Sequence, residues 1–282
     1  MDSWERLSAA IRSLIIASGS RSHEKLHPNN WNSGFFVGVP LGLLEYTFDW
    51  TVLWRAPYGR MFLDGALTTL KLSAMAWIIA VAVGILVALL RVSRSPMLRF
   101  FGFAYVQLFR NTPLLVQLFF WYYAAPLLLP GSAQAWLYDN VPDYSFWAGT
   151  AALGIYTASR VAEQFRSGLA AIPRDQYQAA YSTGLNTYQT YRYVILPYAC
   201  RIILPPFTTE FLTCFKNSAL TMTIGVMEIT HTAYYIDSFT WHGLETTTGA
   251  SLVYLSIAIC VALFMSLVEK QTAIPGMIVR EQ

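Results

Sequence analysis

Long apolar segments alternate with polar ones along most of the chain. Five of them carry few charged residues, and about 20 such residues in a helix cross the hydrocarbon core of a bilayer. In the first segment Lys71 is the only charged residue, and it lies near enough to one end to reach the interface. The pattern therefore predicts an all-α membrane protein, a five-span transmembrane helix bundle. The predicted spans cover residues 65–90, 113–130, 146–163, 204–227 and 247–268, and the second is expected to begin with Thr112 as its cap and Pro113 in its first turn.

Composition supports a membrane protein and argues against a soluble enzyme. Of the 282 residues, 55% are hydrophobic and 12% are charged, and the mean hydropathy is +0.41. Soluble domains carry about twice that charged fraction. The three cysteines, Cys200, Cys214 and Cys260, show no paired spacing, so we interpret them as small buried apolar residues rather than disulfide partners or metal ligands.

Residues 1–64 are predicted to be an extension in front of the bundle. Apolar residues within 1–20 recur at helical spacing, as in an amphipathic helix on a membrane surface. Residues 34–48 are apolar but too short to span, so we expect them at the interface or packed on protein, with Trp50, Trp54 and Tyr58 at headgroup level.

One short sequence in this extension matches a metal-binding pattern. His23-Glu24-Lys25-Leu26-His27 fits the H-E-x-x-H pattern of zinc proteases, in which two histidines one helical turn apart bind the metal. Pro28 follows directly and the sequence offers no evident third ligand, so we interpret the match as chance and predict no metal site. Residues 228–246 also contain acidic residues and histidines, but their spacing favours a solvated outer loop.

Charge asymmetry predicts the orientation in the membrane. Residues 91–110 hold four arginines and residues 160–201 hold five, whereas residues 131–145 and 228–246 hold no lysine or arginine. Because positive charge stays on the cytoplasmic side, the amino terminus is expected outside, and the tail at residues 271–282 in the cytoplasm. The first 71 residues, with seven basic side chains, go against this rule.

The polar stretch at residues 172–201, the central segment, has ordered helix signals. Pro173 stops the preceding helix, and Asp175 to Tyr181 is typical of a short helix. Gly184 lies where the chain must turn, because glycine adopts the left-handed conformation without steric cost. Asn186 and Thr187 can cap a second short helix. A helix, a turn and a helix between two spans would form a segment through which a bound partner can move the spans.

The fourth span is the most polar. Thr209, Thr213, Lys216, Leu220 and Thr223 fall on one helical face, and Glu210, Asn217 and Thr221 on another. Ionisable groups at bilayer depth must face protein or water. We therefore expect this helix to line a translocation path or a dimer interface, with the alternative that its polar groups bond neighbouring helices. The candidate path residues are Lys216, Asn217, Ser218, Thr213 and Glu210, and Lys216 could neutralise a substrate carboxylate.

The sequence contains no phosphate-binding G-x-x-x-x-G-K-[ST] loop and no nucleophile elbow. We therefore expect no catalytic residue and no cofactor in this chain. If the protein moves a solute uphill, the energy must come from another subunit or from an ion gradient.

The central segment resembles the coupling loop of bacterial ABC importer permeases. That loop has E-A-A, three residues, G, nine residues and I-x-L-P. The same spacing is kept here, with glutamine in place of the usual glutamate and valine in place of isoleucine. The glutamine puts in doubt any salt bridge from this position to a partner. The matching residues are Gln178, Ala179, Ala180, Gly184, Val194, Ile195, Leu196 and Pro197.

Two further motifs resemble the permeases of polar amino-acid importers. The stretch Phe109 to Gln117, F-R-N-T-P-L-L-V-Q, matches their F-R-[GN]-T-P-L-L-V-Q signature through Arg110, Asn111, Thr112, Pro113 and Gln117. Residues 216–220, K-N-S-A-L, match as well. Residues 159–164, S-R-V-A-E-Q, which include Glu163, are most like the glutamate/aspartate importer permease.

The resemblance implies a type I (MetI-like) permease fold over residues 65–270, with the central segment as the ATPase-coupling loop. It also implies a pair of cytoplasmic ATPase subunits that bind ATP and magnesium, a second permease subunit and an external amino-acid-binding protein. Together they would import a polar amino acid across the inner membrane. The alternatives are a gradient-driven secondary transporter, which would usually show inverted repeats, and a membrane enzyme or sensor.

Overall fold

The computed structural model describes residues 46–272, and from Phe48 onward these belong to one compact unit. Within this range the chain forms ten α-helices and no strand, which confirms the all-α prediction. Short 3-10 or π turns join several of them. The helices are α1 (Tyr58–Val92), α2 (Pro96–Asn111), α3 (Leu114–Phe119), α4 (Gly131–Asn140), α5 (Tyr144–Ala170), α6 (Arg174–Ser182), α7 (Thr187–Thr190), α8 (Leu196–Asn217), α9 (Ile229–Thr240) and α10 (Gly243–Thr272).

The bundle is built around the contact between α1 and α5. A Cβ on Gly84 of α1 would lie 2.5 Å from Cγ1 of Val161, and a Cβ on Gly154 of α5 would lie 2.8 Å from Cγ2 of Ile79. Higher residue numbers on one helix meet higher numbers on the other, so α1 and α5 run parallel. The two glycines allow the backbones to approach closely, as small residues do between membrane helices.

Helix α8 runs antiparallel to α5. Phe207 packs on Phe165 at one end, with ring centroids 5.4 Å apart, and Thr221, just past the other end of α8, packs on Gly149. Trp77 of α1 contacts Phe207 and Phe211 edge-on. The helices of the predicted first, third and fourth spans therefore form one packed group whose directions alternate as successive crossings require.

Two of the described helices, Tyr58–Val92 and Gly243–Gln271, are long and apolar enough to cross a membrane. The predicted third span lies within α5. The predicted second span is less regular, because α3 passes into a π turn at Phe120–Ala124 and a 3-10 turn at Pro126–Leu128. The number of spans stays a prediction.

Helix α8 and the predicted fourth span have different bounds. Helix α8 begins at Leu196, because the capped helical run of the central segment continues into it, and ends at Asn217. A 3-10 turn at Ser218–Ile224 follows, and Gly225, with φ 85°, stops the run before Met227. Glycine takes this left-handed conformation easily.

Residues 228–246 are not the solvated loop that was predicted. Glu228 is fully buried and accepts hydrogen bonds from the backbone nitrogens of Thr230 (2.9 Å) and His231 (2.8 Å), which caps α9. The hydroxyl of Tyr254 donates to the same carboxylate at 2.9 Å. Glu245, at the start of α10, is also fully buried and accepts a hydrogen bond from a backbone nitrogen. Both acids are structural groups of the packed bundle.

Two smaller predictions were also wrong. Thr112 does not cap α3; it ends α2, and its hydroxyl donates back to the carbonyl of Leu108 at 2.9 Å. Of the three cysteines only Cys214 is buried, whereas Cys200 and Cys260 are exposed on the protomer surface.

Most of the predicted amino-terminal extension lies outside the described residues, as do the H-E-x-x-H match and residues 273–282 of the tail. The described part of the extension begins with a 3-10 turn at Trp50–Leu53, which packs on α10 through Leu53 and Gly249. Trp54 is 82% exposed. The division of the chain into domains stays a prediction.

Candidate coupling segment and arginine cavity

The central segment folds as its local signals predicted. Helix α6 ends at Ser182, and the φ of Gly184 just after it is 82°. The Leu185 nitrogen donates to the carbonyl of Ala180 at 3.3 Å, which closes a Schellman-type cap. Asn186 then caps α7 in a reciprocal pair with Gln189, at 2.9 and 3.0 Å. Both ends of the turn are thus fixed by hydrogen bonds.

One face of the central segment is anchored and the other is open. Ile172, Ile195, Ala199 and Ile203 form a buried apolar cluster that holds the segment on the bundle. Of the motif residues, Ala180 and Ile195 are buried, Val194 is half-buried, and the others lie on the open face. The exposed motif residues are Gln178, Ala179, Gly184, Leu196 and Pro197.

Tyrosines enlarge this open face. Tyr188 is 75% exposed and Tyr193 is 65% exposed. Behind them Tyr177 meets Tyr191 edge-on, with ring centroids 6.1 Å apart, and burial is the main cause that raises the pKa of Tyr177. The open face therefore offers aromatic rings and hydrogen-bonding groups, with no charge at position 178.

A π turn connects the central segment to α8 without a break. Tyr191–Ile195 is π-helical, and the nitrogen of Leu196 donates to the carbonyl of Tyr191. Pro197 has no N–H to donate, and the wider turn in front of it lets the helix pass the proline. One helical run therefore joins the open face to the interior of the bundle.

The signature residues Arg110 to Gln117 fold into a turn between α2 and α3. The side-chain nitrogen of the buried Gln117 donates to the carbonyl of Phe109 at 2.8 Å and to the hydroxyl and carbonyl oxygens of Thr112 at 2.7 and 3.2 Å. The amide of Asn111 donates to Gln107 at 2.8 Å. Pro113 precedes the first residue of α3. The sequence indicated the motif, but it did not predict that the Gln117 side chain bonds Phe109 and Thr112 across the turn.

Ion pairs link three helices near this turn. Arg91, at the end of α1, and Arg166 both pair with Glu163 of α5. Arg160 of α5 pairs through Nε with Glu210 of α8, whose side chain is only 4% exposed. No ion pair of Arg110 is found among residues 46–272. None of these pairings was predicted. Arg160 and Glu210 are 50 residues apart along the chain, and Arg91 and Glu163 are 72 apart, whereas Arg166 and Glu163 are three apart on α5.

These charged groups surround a small cavity of about 160 Å³, the arginine cavity. It is lined by Arg110, Arg160, Glu163, Gln164, Ser167 and Glu210. Arg91 and Arg166, which do not line the cavity, pair with Glu163, and Arg160 pairs with Glu210. Within the described chain, no three metal-ligating side chains come together here or elsewhere.

Exposure differs between the two predicted faces along α8 and the 3-10 turn that follows it. Thr209, Lys216, Leu220 and Thr223 are exposed in the protomer, whereas Glu210 and Thr221 are buried. The five candidate path residues are therefore not brought together. Glu210 faces the arginine cavity, and Ser218 is fully buried and donates to the Phe215 carbonyl at 2.6 Å. Thr213 and Asn217 are half-buried, and Lys216 is exposed on α8.

Comparison with known proteins gives concordant matches. Residues 80–274 match the family described as the inner membrane component of binding-protein-dependent transport systems. The glutamate/aspartate import permease protein GltJ of Escherichia coli K12 is 38% identical over 250 residues, which are 88% of this chain and 97% of that protein. A probable glutamine ABC transporter permease, GlnM of Bacillus subtilis, is 31% identical over 75% of this chain and 93% of its own.

Solved structures agree with these matches. A chain of an amino acid ABC transporter crystallised with histidines superposes with a TM-score of 0.69 at 32% identity, covering 80% of this chain and all of that one. A chain of the MetNI methionine ABC transporter, in an inward-facing form, gives a TM-score of 0.60 at 16% identity, and this likeness concerns the fold alone.

Proposed function

The chain belongs to the family of inner membrane components of binding-protein-dependent transport systems, and we propose that it is the permease subunit that imports glutamate and aspartate. An ABC importer permease for amino acids follows from the family and the relatives. The observation that supports the acidic substrate is the 38% identity to a glutamate/aspartate permease over nearly the whole of that protein.

We propose that a pair of cytoplasmic ATPase subunits, which bind ATP and magnesium, docks on the open face of the central segment. This face presents Gln178, Ala179 and Gly184 on a turn fixed by hydrogen bonds. The uninterrupted helical run into α8 would carry the movement of the ATPases into the bundle. Such a two-state bundle, biased by different contacts on each side, can alternate its access.

The open polar face of α8 supports a second permease subunit. Lys216 and Thr209 are exposed in the protomer although they belong to a predicted span. Because polar groups at bilayer depth must face protein or water, this face would meet a second permease subunit or line the path between the two subunits. An external binding protein would deliver the amino acid to that path.

The proposed orientation places the amino terminus outside and the carboxyl terminus in the cytoplasm. Helices α1 and α5 run parallel and α8 runs in the opposite direction, as the first, third and fourth spans would if successive spans crossed the membrane in alternating directions. The ends of α1 and α2, which carry Arg91 and Arg110, then lie on the cytoplasmic side with the central segment.

The coupling role is tested by co-purification of the ATPase from detergent-solubilised membranes. Gly184→Asp places a charged side chain at a left-handed residue of the open face, and we expect it to abolish recovery of the ATPase. Gly131→Asp is the control. An added Cβ would meet no atom within 4 Å at either glycine, and Gly131 differs from Gly184 in that its φ is not positive. Equal recovery with both variants would contradict the docking site.

A further inference from the structure

The arginine cavity has the chemistry of a site for a small anion. Four guanidinium groups (Arg91, Arg110, Arg160 and Arg166) and two carboxylates (Glu163 and Glu210) meet in and around it, so the cluster carries a net charge of +2. Its volume of about 160 Å³ is below the range of about 300–1,000 Å³ that is usual for drug-sized ligands. A small charged group fits these properties better than a bulky apolar one.

We propose that the arginine cavity binds the side-chain carboxylate of the acidic amino acid on the cytoplasmic side of the path, with Arg160 as the residue that selects for negative charge. This inference rests on the proposed import function. It differs from the role first expected of Lys216, which does not line this cavity.

The ion pair between Arg160 and Glu210 leaves room for a second carboxylate. The Glu210 side chain is 4% exposed and bonds Nε of Arg160, whereas the Arg160 side chain is 36% exposed and lines the cavity. A guanidinium carries five N–H donors in a planar fork. Glu210 therefore fixes the arginine from the protein side, while the remaining donors can bind an anion from the cavity.

The neighbouring residues complete the site. Arg110 is exposed at the end of α2 and has no ion pair within the described chain, so its charge is available to the cavity. Gln164 and Ser167 add neutral hydrogen-bonding groups to the lining. A neutral amide such as that of glutamine has one acceptor oxygen and no negative charge, so it cannot form the bidentate ion pair that a carboxylate forms with a guanidinium.

The same geometry suggests how the anion leaves. Glu210 lies on α8, which is continuous with the central segment, whereas Arg160 lies on α5. When α8 moves with the ATPases, the distance between Glu210 and Arg160 changes, and the two carboxylates compete for one guanidinium. Because Glu210 already contacts Nε of Arg160, a shift of its carboxylate onto the terminal guanidinium nitrogens would displace the substrate carboxylate toward the cytoplasm.

The test measures equilibrium binding of radiolabelled L-glutamate to the complex of permease and ATPase subunits in lipid nanodiscs, without the external binding protein, which would itself bind the label. Unlabelled L-aspartate, L-glutamine and inorganic phosphate serve as competitors. For the wild type we expect displacement by aspartate at far lower concentration than by glutamine or phosphate. Equal displacement by phosphate would overturn selection for an amino-acid carboxylate, and equal displacement by glutamine would overturn selection for charge.

The variants separate binding from structure. Arg160→Gln alone leaves the buried Glu210 unpaired, so the informative variant is R160Q/E210Q, in which two amides can still bond each other. We expect it to assemble and hydrolyse ATP while its glutamate affinity falls at least about tenfold, as loss of a charge-assisted hydrogen bond predicts. Arg99→Gln, an exposed arginine at the other end of α2, should leave the affinity unchanged.

The outcomes distinguish this inference from the proposed function. Wild-type glutamate affinity in R160Q/E210Q, with wild-type glutamate uptake, would show that the ion pair is only structural and would overturn the site. Absence of ATP-dependent glutamate uptake in the wild type would instead refute the proposed function itself.

Discussion

The side-chain nitrogen of Gln117 lies 2.7 Å from the hydroxyl oxygen of Thr112 and 2.8 Å from the carbonyl oxygen of Phe109. These bonds hold the end of α2 against the start of α3 across a turn that contains Pro113. The signature motif thus stabilises the turn between α2 and α3. It also positions Arg110 at the arginine cavity.

We expect Gln117→Leu to destabilise the protein by about 1–3 kcal/mol, because three half-buried acceptor atoms lose the donor that they share. Thermal unfolding in detergent would measure the loss. Gln107→Leu is the control, since Gln107 is exposed on α2 and its side chain bonds only Asn111. Similar shifts for both variants would mean that the Gln117 bonds do not hold the turn.

Gly84 makes the contact of α1 with α5 sensitive to side-chain size. A Cβ there would meet Val161, and Ala158 is directly behind it with its carbonyl oxygen 3.1 Å away. We therefore expect Gly84→Val to lower the thermal stability strongly or prevent assembly, since overpacking costs about 1–3 kcal/mol or more. Gly131→Val, where nothing lies within 4 Å, should be tolerated by the same measurement.

Glu228 is expected to stabilise the join between α9, α1 and α10. Glu228→Ala leaves the Thr230 and His231 nitrogens and the Tyr254 hydroxyl without their acceptor, so we expect a loss of about 1–3 kcal/mol. Asp64→Ala, which removes an exposed carboxylate of α1, is the control. The free energy of unfolding from denaturant titration would compare them, and equal values would contradict a capping role.

Local signals predicted the central segment well. A proline, a glycine and a capping asparagine act on their immediate neighbours, and the structure places a helix, a left-handed residue and a capped helix at these positions. Helical periodicity also separates the exposed Thr209 and Lys216 of α8 from the buried Glu210, because it determines which residues share a side.

Pairings between distant residues could not be predicted. Arg160 and Glu210 are 50 positions apart, and Arg91 and Glu163 are 72 apart. Which arginine meets which glutamate depends on how α1, α5 and α8 pack, and no local pattern encodes that. Glu228 shows the same limit, since its sequence neighbourhood favours a solvated loop while three helices bury it.

The central claim is that this chain imports acidic amino acids with energy from ATP hydrolysed by a partner subunit. The most direct measurement is uptake of radiolabelled L-glutamate by proteoliposomes that contain the co-purified complex, with the binding protein outside and ATP inside. We predict uptake that requires both ATP and the binding protein and persists when an ionophore collapses proton and sodium gradients. Uptake that needs an ion gradient and continues without ATP would contradict the account and favour a secondary transporter.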